Sequence, residues 1–114
     1  MSIRRMDVGP RMSQVVVHND RIYLAGLVGE GESVAAQTSD ILANADRLLA
    51  RAGSDKSKLL QAVIWLTDIS TFAEMNSAWE AWIDKTNPPA RATVEAKLAS
   101  PAHKVEIMIT AAAD

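Results

Sequence analysis

Cysteine is missing from the 114-residue sequence. Disulfides, thiolate nucleophiles and thiolate metal sites are therefore excluded, and a cytoplasmic setting is the expectation. Histidine is almost as scarce. His18 and His103 stand far apart, each beside a turn signal, and two such residues fall short of a metal-ligand set. Neither a metal nor a cofactor is expected. Charge of one sign is also lacking: 12 Lys and Arg face 14 Asp and Glu, a net charge of −2 with both signs scattered. Without a basic stripe, neither nucleic acid nor a membrane surface is an expected partner. No apolar run approaches the ~20 residues of a membrane span. The two early arginines, Arg4 and Arg5, have no long apolar segment behind them, so no signal peptide is expected.

What is present reads as an ordinary globular chain, 48% hydrophobic and 23% charged. Its length suits a single domain over 1–114. "QVVVHNDRIYLAG" predicts a hairpin, Val15–Val17 and Arg21–Leu27 around an Asn19-Asp20 turn. Gly26, Gly29 and Gly31 follow with neither GxGxxG nor GxxxxGK spacing, which suits a loop at the lip of a ligand site rather than a phosphate cradle. Val34, Ile41, Ala45, Leu48, Leu49 and Ala52 recur at helical spacing, with Ser33 as N-cap and Gly53 as stop. "KLLQAVIWL" is apolar at alternate positions on both sides, with Leu60, Ala62, Ile64 and Leu66 on one face and Leu59, Val63 and Trp65 on the other. A second helix carries the stripe Phe72, Met75, Trp79, Trp82 and Ile83, a Thr71/Glu74 capping box and an end at "NPPA". Strands are predicted over 92–97 and 104–112, with the first residues forming an edge strand. Two helices suit one face of an antiparallel or mixed sheet, an α+β arrangement. A sheet apolar on both faces with helices on one side predicts that copies of the chain pack sheet to sheet.

The last 28 residues hold two awkward charges. Arg91 stands where a strand begins, and Glu106 is flanked by Val105 and Ile107 inside another. A buried carboxylate needs a partner, a water or a shifted pKa. If these strands are neighbours, or meet across a subunit contact, the two charges share a site. One reading is an Arg–Glu salt bridge at an interface. The other takes the groups separately. The guanidinium fork of Arg91 grips a carboxylate in bidentate fashion, while Glu106 holds water or moves a proton. A carboxylate anchor beside a water-activating group suits hydrolysis at the adjacent carbon.

Four stretches carry a resemblance to a known family: Gly9-Pro10, "IYLAG", "FAEMNSAWEAW" and "PARATVEAKLASPAHKVEIMITAA". Together they cover essentially the whole chain. The sequence resembles the reactive intermediate deaminase family, also called RidA or YjgF-type. The tryptophan-rich second helix and "KVEI" look most like its YoaB-type branch. The resemblance implies a chorismate-mutase-like α+β fold, with a six-stranded mixed sheet, two helices on one face, and sheets packed as a trimeric barrel. It also implies clefts between subunits where 2-imino and 2-enamino acids are hydrolysed to 2-oxo acids and ammonia, without metal or cofactor. Arg91 matches the substrate-carboxylate ligand and Glu106 the residue orienting water. Gly26, Asn76 and Thr93 match positions in or near the cleft. Arg11 and Met12 stand where the archetype has a cleft tyrosine, Ala25 where it has serine, and Thr93 where cysteine is common. The alternative from another class is a non-catalytic binder or sensor of small carboxylates. Roles in RNA cleavage or translation inhibition, linked to some relatives, fit poorly with the acidic balance.

Overall fold

In most strands of this chain at least every second residue is apolar, and the fold puts the buried set on one side of a single sheet. The computed structural model describes residues 2–113. Strands β1 (Ile3–Val8), β2 (Ser13–His18) and β3 (Arg21–Leu24) form an antiparallel meander. Helix α1 (Val34–Arg51) leads to β4 (Leu59–Leu66), and helix α2 (Phe72–Trp82) leads to β5 (Ala90–Glu95) and β6 (Val105–Ala112). The sheet order is β1-β2-β3-β6-β4-β5. Only β4 and β5 pair in parallel, and α2 supplies the crossover that a parallel pair requires. β6 is inserted between β3 and β4, antiparallel to both.

The helix-side face carries the core. Ile22, Ile64, Leu66, Val105, Ile107 and Ala111 are fully buried there against Ile41, Leu48, Leu49 and Met75. The other face holds the alternate residues, among them Tyr23, Val63, Trp65, Val94 and Met108, which are half-buried or exposed. The predicted hairpin forms with Asn19 at φ 58, in the left-handed region that asparagine tolerates, but its second strand ends at Leu24 rather than Leu27, which makes only an isolated bridge to Ile107. The predicted ends of α1 also form. Ser33 accepts from the Ala36 N–H, and Gly53 takes φ 83 just beyond the helix, where a side chain is strained.

Four further details differ from the sequence reading. Leu60 does not join Ala62, Ile64 and Leu66. A bulge between Leu59 and Gln61 makes it the extra residue, so Leu59 turns inward and Leu60 is exposed. The Thr71/Glu74 capping box does not form. Asp68 instead starts a short 3-10 turn, Ile69–Thr71, and Glu74 reaches across to accept from the Ala35 N–H in the first turn of α1. Helix α2 stops at Trp82, well before Pro88, because Asp84 accepts from Thr86 N and Asn87 Nδ2 and closes a competing turn. The strand predicted over 92–97 runs two residues earlier, over Ala90–Glu95.

Candidate functional site

Arg91 sits on β5, the edge strand, directly beside Ala62 of β4. Ala62 is fully buried on the helix side, and paired residues share a face, so Arg91 points toward α2. Its guanidinium carbon lies 5.7 Å from the Phe72 ring centroid and 5.4 Å from that of Trp79. Phe72, Asn76 and Trp79, four and three residues apart, lie along one side of α2, so half-buried Asn76 belongs to the same wall. Burial lowers the basicity of Arg91, and the charge of Glu80 opposes that shift. Thr93, two residues further along the same face, has a buried Oγ1 with no hydrogen-bond partner. No ion pair or side-chain hydrogen bond among the described residues engages the Arg91 guanidinium. A cation and a buried hydroxyl with spare hydrogen-bonding capacity thus lie on the same face of one strand, an arrangement with the capacity to bind an anionic oxygen group.

Glu106 lies elsewhere. It pairs with Trp65 on β4 and alternates with the buried Val105 and Ile107, so it points away from the helices. Its carboxylate rests on Gly26. A Cβ built at Gly26 would fall on Oε2 of Glu106, with Cδ at 3.1 Å. The cause is a second irregularity. Tyr23 pairs with Thr110 and Leu27 with Ile107, so four steps on one strand match three on the other, and the extra residue lies near Gly26. Ala25 donates its N–H to Gln14 O, which sets the β1–β2 connection beside Gly26. Arg11 and Met12 occupy that connection, both exposed, and Met12 O accepts from the Gly9 N–H.

Within one chain the predicted residues therefore form two groups. Arg91, Thr93 and Asn76 gather on the helix side at the β5 edge. Glu106 and Gly26 gather on the open face, with Arg11 and Met12 at its rim. β5 and β6 are not neighbours, because β4 separates them. Arg91 and Glu106 differ by two strand spacings across the sheet, ~10 Å, and three residues along it, ~10 Å, so their backbones stand ~14 Å apart on opposite faces. An intramolecular salt bridge between them is ruled out.

Sequence reasoning treated Phe72 and Trp79 as packing. Trp79 is in the core, yet both rings also flank the guanidinium. The available signal was two aromatics seven residues apart on the helix preceding the Arg91 strand. His18 is exposed at the hairpin turn, and no group of three or more metal-ligating side chains occurs among the described residues. No helix is long and apolar enough to cross a membrane.

The family model described as Endoribonuclease L-PSP matches residues 3–113. The chain belongs to this family, the RidA/YjgF family, on its YoaB-like branch. RutC family protein YoaB from Escherichia coli K12 is 44% identical, over 98% of this chain and 99% of its own. The crystal structure of a YjgF-family member from Neisseria meningitidis superposes with a TM-score of 0.98 at 50% identity, covering 100% of this chain and 97% of that one. A more distant relative from Arabidopsis thaliana, 29% identical over 88% of this chain and 57% of its own, is named Reactive Intermediate Deaminase A. The L-PSP family sheet, mixed and six-stranded with two helices, is therefore this chain's fold.

Proposed function

We propose that this protein hydrolyses small 2-imino or 2-enamino acids to 2-oxo acids and ammonia, in clefts between subunits of a homotrimer. The carrying observation is the position of Arg91 beside the orphan Thr93 hydroxyl on an edge strand, with Glu106 on the far face of the same sheet. Each group is half of a site, and a second copy supplies the other half. The open sheet face supports assembly. Tyr23, Met108 and Val94 are 42%, 40% and 46% exposed there, and the adjoining Val16, Val63 and Trp65 are only half-buried. Such a patch is unfavourable in water unless covered. Three sheets closing this face inward form a barrel with the helices outside.

In the proposed cleft, Arg91 and Thr93 of one subunit hold the substrate carboxylate, with Asn76 beside them. Glu106 of the next subunit orients water, and Gly26 leaves room for both. An enamine first takes a solvent proton at C3, and an imine one at nitrogen, to give the iminium; water oxygen then bonds to C2 as its proton passes to Glu106 and the C=N electrons settle on nitrogen. The protonated Glu106 then gives that proton to the amine of the carbinolamine. The C–N bond breaks, ammonia leaves, and the hydroxyl proton is released as the carbonyl forms. Met12 and Arg11 at the rim are the groups that meet the substrate side chain. The name of the Arabidopsis relative supports the reaction class. The non-catalytic reading, binding small carboxylates without turnover, draws on the change at Met12 and Ala25, which removes two hydroxyl groups from the lining that the resemblance implies. Ammonia release from freshly generated 2-iminobutanoate decides between them. Turnover proportional to enzyme supports the deaminase, while saturable binding of 2-oxobutanoate with no ammonia supports the binder.

A further inference from the structure

The side chain of Gln37 is 1% exposed on α1, and every polar group it has is used. Nε2 donates to Gly31 O at 2.9 Å and to Ala102 O at 3.0 Å. Oε1 accepts from the Lys104 N–H at 2.8 Å. Two donors and one acceptor thus meet two carbonyls and one N–H, all backbone, from two separate loops. One loop is the segment leaving Gly26. The other ends at Lys104, two residues before Glu106. A primary amide on a two-carbon stem is the side chain that matches this set, because a carboxylate offers no donor and a shorter amide does not span both loops.

The two loops are otherwise joined by few bonds. Leu27 and Ile107 exchange backbone hydrogen bonds of 2.8 and 3.0 Å. Asp40, one turn further along α1, accepts from the Glu30 N–H at 2.8 Å. Thr67 N donates to Lys104 O at 3.1 Å. Gln37 alone among these touches both loops through one side chain. Its bonds hold both segments at one end of the contact between Gly26 and Glu106, just beyond the Leu27–Ile107 pair.

We infer that Gln37 is a positioning residue, which sets the Glu106 carboxylate against Gly26 by holding both backbone segments from the opposite side of the sheet. It touches neither substrate nor the reacting atoms. The inference rests on the deaminase reading for its kinetic consequence, because a base displaced by ~1 Å loses on the order of 10²-fold in rate. Arg91 and Thr93 lie on β5, to which Gln37 makes no hydrogen bond, so carboxylate binding is independent of Gln37.

The test compares wild type with Gln37→Met, which keeps the length and loses all three bonds, and Gln37→Glu, which keeps the size and the acceptor for Lys104 N–H. Sites are counted by titration with 2-oxobutanoate, and kcat is expressed per site on 2-iminobutanoate. The expected result is unchanged stoichiometry and Kd, unchanged KM, and kcat per site reduced ~10–10²-fold. A purely structural clamp gives fewer sites, each with wild-type kcat, and that outcome overturns the inference, as does failure of both variants to fold. If wild type releases no ammonia, the deaminase reading fails while the positioning claim stays open to a direct measurement. Crystal structures of wild type and of whichever variant folds then show the carboxylate either displaced from Gly26, which supports the claim, or unmoved, which overturns it.

Discussion

Arg91 and Glu106 project from opposite faces of one sheet, with β4 between their strands. Two groups so placed cannot serve one small substrate within a chain. In a closed ring of copies, however, each interface can pair the Arg91 of one with the Glu106 of the next.

That pairing predicts complementation. Arg91→Ala and Glu106→Gln, each inactive alone, should regain activity when unfolded together and refolded as mixed trimers. Random 1:1 assembly leaves about a quarter of the sites with both native groups, so about a quarter of wild-type activity is expected. Mixed trimers of the right mass by light scattering but without activity would count against the shared site.

The two single variants should also differ in kind. Arg91→Ala should lose 2-oxobutanoate binding and turnover together, and Arg91→Lys should restore little, because an ammonium lacks the bidentate fork. Glu106→Gln should keep binding and lose ~10²–10⁴-fold in kcat. Calorimetric titration beside steady-state kinetics separates the two. Equal loss of binding in both variants would assign Glu106 to holding the ligand instead.

Gly26→Ala is the smallest change aimed at the site. The added methyl falls on the Glu106 carboxylate, the end of a flexible side chain. The chain should fold and assemble with near-native melting temperature, while kcat falls at least about tenfold as the carboxylate is displaced. Wild-type kcat in a folded Gly26→Ala protein would mean that the carboxylate has no required position.

Stability should respond to acid through three turn-closing carboxylates. Hydrogen bonds from Ser57, Ser70 and Asn87 to Asp55, Asp68 and Asp84 respectively hold each below the usual carboxylate pKa. A depressed folded-state value means the unfolded chain binds protons first, so this stabilisation is present above about pH 4 and is lost as pH falls through the lowered values. Urea midpoints measured from pH 5 down to pH 2 should fall less steeply for the triple Asn variant than for wild type. Parallel slopes would show that these turns do not contribute.

The N-terminus of α1 is held from two sides. Ser33 Oγ accepts from Ala36 N at 3.0 Å, and Glu74 Oε2 accepts from Ala35 N at 2.9 Å. Ser33→Ala should cost about 1 kcal/mol in chemical denaturation. Glu74→Ala should cost a comparable amount although Glu74 lies on α2, and an unchanged denaturation midpoint would show the inter-helix cap to be dispensable.

Much of this protein follows from local chemistry and is legible in the chain. The hairpin at Asn19-Asp20, the Ser33 cap, the Gly53 stop and the alternation of β6 each depend on residues a few positions apart. So does the type of residue at the site, because a guanidinium and a strand-borne carboxylate carry their chemistry with them. What the chain could not show depends on contacts distant in sequence. The Leu59–Gln61 bulge reverses which leucine is buried, and it arises from the register against β6, about fifty residues away. Glu74 caps the other helix rather than its own because tertiary packing brings Ala35 within reach. Above all, β4 lies between β5 and β6 and separates Arg91 from Glu106, and the register of each strand against β4 puts them on opposite faces. Strand order is a global property of the sheet, decided by which edges can pair once the helices cover one face, and no spacing along the chain encodes it.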